Sequence, residues 1–155
     1  MRLSLALIAL AMPAVALAVE TSGSAPASRS AAAIEGTIKE AVRAAVVDRN
    51  YRRACRFGTQ RGRHRLLRGY NSSNGRDYPN CAAVIRHEVE APGHRAWIAR
   101  LRDGVVVDVL WVRGDRARTR VADEPVAYPG QGFVRLRRVD GRWRLDNSSL
   151  IPYGD

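Results

Sequence analysis

Apolar residues at Ile34, Ile38, Val42, Ala45 and Val46 recur at helical spacing, with Glu35, Lys39 and Arg43 on another face. The pattern predicts a long amphipathic first helix, and Glu35 stands one turn ahead of Lys39, the favourable order for an ion pair. Asp48 and Asn50 offer caps for a short second helix in which Tyr51, Ala54 and Cys55 share one side and which Gly58 ends. Thr59 to Leu67 predicts a further turn or two of helix, and Asn71 to Asn80 a polar loop. Cys81, Val84, Ile85 and Val89 form another helical stripe, which stops before Pro92 and Gly93.

Beyond Gly93 the pattern predicts extended chain. Val105 to Arg113 is rich in β-branched residues, Gly114 and Asp115 read as a turn, and Arg116 to Val121 as the returning strand. Phe133 to Val139 predicts another strand, and Asp140-Gly141 is a strong hairpin signal leading into Arg142 to Leu145. Helices first and antiparallel strands afterwards predict an α+β domain, with the N-terminal helices packed on one face of a curved antiparallel sheet. Within the strands, Arg116, Arg118 and Arg120 alternate with Ala117, Thr119 and Val121, and Arg135 and Arg137 alternate with Val134 and Leu136. A period of two puts each arginine set on one side of its strand, so neighbouring strands would share a basic, anion-binding face.

The ends of the chain place this domain. Residues 1–18 combine a basic start at Arg2, an apolar run from Leu3 to Leu10 and the small-residue pattern Ala16-Leu17-Ala18, the layout of a signal peptide cleaved before Val19. The run is shorter than a spanning helix needs, and Pro13 interrupts its end. Residues 19–30 are mostly Ser, Ala, Gly and Pro and read as a flexible linker, which leaves residues 31–155 as one folded domain. In an exported chain, two cysteines, Cys55 and Cys81, predict one disulfide; a free catalytic thiol is the alternative. The expected location is secreted or periplasmic, with no stable membrane anchor.

Charge adds one question. The formal net charge is +11, and Lys39 is the sole lysine among 26 basic residues. Such a surplus attracts nucleic acid, anionic cell-wall polymer or a membrane surface. An Ala-, Arg-, Gly- and Val-rich chain is also what a GC-rich genome encodes, so composition alone names no partner.

The order of elements, the helical segment Tyr51 to Cys55, the later Cys81, the turn Gly114-Asp115-Arg116-Ala117 and the closing Gly141-Arg142-Trp143-Arg144-Leu145-Asp146 resemble the nuclear transport factor 2-like superfamily, in particular its exported bacterial members. The resemblance covers most of residues 31–155 and rests on loose motifs. It implies a cystatin-like cone, as in the ketosteroid isomerases, with a curved sheet wrapped around helices and a pocket at one end. Members include isomerases, dehydratases, hydrolases and domains that only bind or dimerise, so a homodimer is one expectation and the fold selects no activity.

Candidate chemistry is sparse. No spacing among His64, His87, His94 and the carboxylates matches a metal site, and no nucleophile elbow or phosphate loop occurs, so no cofactor is expected. Asp108 stands out in Val105-Val106-Val107-Asp108-Val109-Leu110-Trp111-Val112, where both side-chain sets are otherwise apolar. A strand covered on both sides would make that carboxylate costly unless it is hydrogen-bonded or opens to a cavity. Asp108 is therefore the expected pocket anchor or acid/base group, with Tyr51, Tyr70 or Tyr128 as ligand-binding partners; a rim position or a structural bond would satisfy it equally. The function expected is a secreted, non-enzymatic domain that binds a small molecule or a protein. The alternatives are a small metal-independent pocket enzyme and an arginine-rich module for an anionic polymer.

Overall fold

A computed structural model describes residues 24–122 and 133–146. Helix α1 (Ser24–Val42) runs into a π-helical turn over Arg43–Val47. It begins seven residues before the boundary expected at Ala31, inside the segment expected to be linker. The difference follows from helix propensity: Ala25, Ala27 and Ala31 to Ala33 favour helix, and a proline at position 26 is tolerated in a first turn. The wide π turn puts three successive residues, Ala44, Ala45 and Val46, into the core.

Helix α2 (Tyr51–Arg56) is capped by Asn50, whose side chain accepts from the Arg53 N–H. Helix α3 (Gln60–Asn74) starts at Thr59, whose hydroxyl accepts from the Gly62 N–H, and stops at left-handed Gly75. It is longer than the turn or two expected and takes in the start of the expected loop. Helix α4 (Cys81–Glu90) begins at its cap Asn80, as its apolar stripe predicts, and buries Cys81, Val84 and Ile85. Cys55 and Cys81 form the expected disulfide, which joins α2 to α4.

The extended chain expected after Gly93 is a correction. A 3-10 turn over Pro92–His94 leads into helix α5 (Arg95–Asp103), which buries Ile98 and Leu101 and half-buries Trp97. Spacing of one and four places these three on one helical stripe, short enough to be hidden among its arginines.

Four strands follow, β1 (Val106–Arg113), β2 (Arg116–Ala122), β3 (Phe133–Val139) and β4 (Arg142–Leu145), in one antiparallel sheet of order β1-β2-β3-β4. The Asp140-Gly141 turn has positive φ at both residues, 49° and 74°, the conformation a two-residue hairpin requires and Asp-Gly supplies. Ala117, Val134, Leu136, Trp143 and Leu145 on the inner face join Ile34, Ile38, Ala41 and Ile85 in a single core. Among the described residues the helices thus cover one face of the sheet, the α+β arrangement expected. The edge of β4 is covered too: the Thr59 N–H donates to the Leu145 carbonyl and the Leu145 N–H to the Phe57 carbonyl, at 2.7 and 2.8 Å.

Candidate anion-binding face

Strand pairing fixes which side chains share the outer face. Arg116 lies opposite Arg137 and Arg118 opposite Arg135, while their neighbours Ala117, Thr119, Val134 and Leu136 are buried on the inner face. Arg120, opposite Phe133 on one side and Asp108 on the other, completes the set. The five arginines singled out by the alternation therefore stand on one surface, because a strand's alternate residues point the same way and the register brings like positions together.

Strand β1 supplies the rest of the face through an irregularity. Val107 pairs with Val121 and Val109 with Thr119, but the register shifts at Leu110, so that Trp111 faces Arg118 and Val112 faces Ala117. Strict alternation would have put Trp111 inside with Val107 and Val109. The bulge turns it outward instead. Val106, Leu110, Trp111 and Phe133 are exposed by 37–46%, a large amount of apolar surface for one sheet face.

Asp108 is on this outer face, and its expected place in a pocket is corrected. Its side chain is 42% exposed and its Oδ2 accepts from Arg120 Nη2 at 2.6 Å and Nε at 3.1 Å. The expectation failed because the apolar residues beside it, Val106 and Leu110, are not covered by anything among the described residues. An exposed ion pair contributes little to folding. Asp108→Asn should therefore change the unfolding free energy by less than about 1 kcal/mol in a urea titration; a loss of several would restore a buried structural role.

The tyrosines expected beside Asp108 lie elsewhere. Tyr51 donates from its hydroxyl to Glu90 Oε1 at 3.1 Å. Burial first, and then that hydrogen bond, raise the phenol above its ordinary range. The hydrogen bond from Arg86 holds the Glu90 carboxyl below the usual range. Tyr70 is buried on α3, edge-on to Tyr78 with ring centroids 6.2 Å apart. Tyr128 lies outside the described residues. The crevice under Trp97, lined by Val42, Val46 and Ile85, has a volume of about 20 Å³ and no polar group. It is too small for a ligand.

Electrostatically the outer face is only partly balanced. Asp108 engages Arg120, and Asp115 lies 4.0 Å from Arg116 and 3.7 Å from Arg137. Arg118 and Arg135 have no ion pair among the described residues. The Arg118 guanidinium lies 3.8 Å from the centre of the Phe133 ring, and Arg113 lies 5.6 Å from that of Trp111. Such contacts hold the cations in place without neutralising them. The Nε of Arg118 is buried and makes no hydrogen bond to the described residues. Trp111 was not legible as part of this surface, since only the bulge brings it beside the arginines, whereas Phe133 shares the strand parity of Arg135 and Arg137.

Among the described residues no cluster of histidine, cysteine or acidic side chains could hold a metal ion, and no helix is long and apolar enough to cross a membrane. Compared with protein-family models, with curated proteins and with solved structures, the chain has no match.

Proposed function

We propose that this chain is an extracytoplasmic, non-enzymatic binding module whose ligand is an anionic polymer held on the outer face of the sheet. One observation carries the reading: two arginine pairs, Arg116 with Arg137 and Arg118 with Arg135, stand directly across from each other on neighbouring strands. Like charges in that position destabilise a sheet. A bound polyanion would relieve the repulsion and release its own counterions in exchange. The exposed rings of Trp111 and Phe133 among the arginines offer stacking surface, as in single-strand-binding proteins.

The disulfide supports an oxidising compartment, and the signal-like pattern of residues 1–18 supports export. The resemblance of the sequence to the nuclear transport factor 2-like superfamily is part of the proposal. The pocket-enzyme alternative has lost Asp108, the residue on which it rested.

The test is binding of a single-stranded oligothymidylate, followed by fluorescence anisotropy. Affinity should fall steeply between about 50 and about 200 mM salt. Arg118→Glu with Arg135→Glu should weaken binding by roughly tenfold more than Arg95→Glu with Arg102→Glu on α5, which changes the net charge equally. Asp108→Asn should tighten it, because Arg120 then lacks its carboxylate. Equal losses from the two double variants would mean that net charge alone is responsible and would end the proposal.

A further inference from the structure

We propose that the open groove between α3 and the β3–β4 hairpin is a second anion site, at the β4 edge of the sheet face and sharing Arg137 with it, that takes a compact multivalent oxyanion of the oligophosphate class. The groove has a volume of about 750 Å³, a size typical of small-molecule sites. Arg61, Arg63, His64 and Arg68 line it from α3, and Arg137 and Arg144 from the hairpin. Two carboxylates, Asp140 and Asp146, also line it. Asp146 is engaged, since its Oδ1 accepts a 2.6 Å hydrogen bond from the Thr59 hydroxyl at the start of α3. Five arginines against two carboxylates leave the groove strongly positive.

How the arginines are held decides what they can do. Arg63 Nη1 donates to the Gly58 carbonyl at 2.8 Å, and Arg144 Nη1 donates to the Arg56 carbonyl. A carbonyl oxygen positions a guanidinium without cancelling its charge. Each head carries five N–H donors, so most remain for a ligand. Side chains fixed in advance also lose less freedom when an anion arrives. Arg61, His64 and Arg68 follow at intervals of three and four along α3, which places them on one exposed face. They have no ion pair among the described residues.

The two walls are also fixed relative to each other. Residues 57–59, just before α3, pair with Leu145 of β4 through two backbone hydrogen bonds. The planar forks of Arg63 and Arg144 are thus presented at a set separation, the arrangement that suits the oxygens of linked phosphates.

Isothermal titration of the folded protein with inorganic tripolyphosphate tests this. One ion should bind per chain. Arg61→Gln with Arg68→Gln should weaken binding by at least about tenfold, with an unchanged unfolding midpoint, because both side chains are exposed. Arg118→Glu with Arg120→Glu, on β2 and separated from the groove by β3, should change it by less than about threefold, the effect of screened charges at a distance. Binding that does not saturate near one per chain would overturn the site, as would full affinity in the groove variant. Equal losses from the two double variants would overturn its separateness. Failure of tripolyphosphate with oligothymidylate binding intact would reject the groove and leave the sheet-face reading standing.

Discussion

Replacing Cys55 and Cys81 by serine should lower the unfolding free energy by about 3.5 kcal/mol, the chain-entropy value for a loop of this length. The two sulfurs are 26 residues apart in sequence and tie α2 to α4, and the enclosed segment contains all of α3. Without the bond the unfolded chain gains the freedom that the loop removes. In a domain of about 100 residues a loss of this size corresponds to a fall of roughly 15–25 °C in Tm. Thermal unfolding of the double variant checks the magnitude. Intact mass after alkylation checks the bond itself: without prior reduction, neither cysteine should be modified. Coincident unfolding curves for the wild type and the double variant would mean that the disulfide contributes nothing.

Gly62→Ala should destabilise the protein by about 1–3 kcal/mol, the usual cost of overpacking, although alanine is the better helix former. A Cβ built at Gly62 would stand 2.7 Å from the Leu145 carbonyl oxygen and 3.2 Å from the Thr59 hydroxyl. The carbonyl cannot yield easily, because it accepts the Thr59 N–H at 2.7 Å. The clash therefore falls on the joint between α3 and β4. Gly69 is the control on the same helix. A Cβ there would meet nothing within 4 Å, so Gly69→Ala should gain up to about 1 kcal/mol from helix propensity alone. Opposite signs in parallel urea titrations are the expected result. If both substitutions stabilise, the start of α3 does not pack against Leu145, and the fixed wall of the groove is lost with it.

Local signals in the sequence carried much of this architecture. The stripe Cys81, Val84 and Ile85 defined α4, and Asp140-Gly141 defined the β3–β4 hairpin, because helical stripes and tight turns are set by residues within a few positions of each other. The short stripe Trp97, Ile98 and Leu101 was equally local but was hidden among arginines and read as extended chain. The length of α3 was missed because Gly62 and Gly69 lower its propensity, whereas its packing against β4 is a tertiary contact.

The sequence by itself determined the α+β order, the pairing of Cys55 with Cys81 once an oxidising compartment is assumed, and the alternation that puts Arg116, Arg118, Arg120, Arg135 and Arg137 on one side of their strands. Each depends only on spacing along the chain or on the number of cysteines. Only the tertiary structure decided which side of β1 is covered. An apolar run reads the same whether both faces are buried or one is open, so Asp108 was indistinguishable from a pocket carboxylate until its pairing with Arg120 placed it outside. The bulge at Leu110 reversed the parity of Trp111, and the docking of residues 57–59 on β4 brought the arginines of α3 opposite Arg137 and Arg144. Those juxtapositions depend on strand register and on contacts between residues far apart in the chain, such as Thr59 with Asp146, 87 positions away. Nothing in the local pattern encodes them.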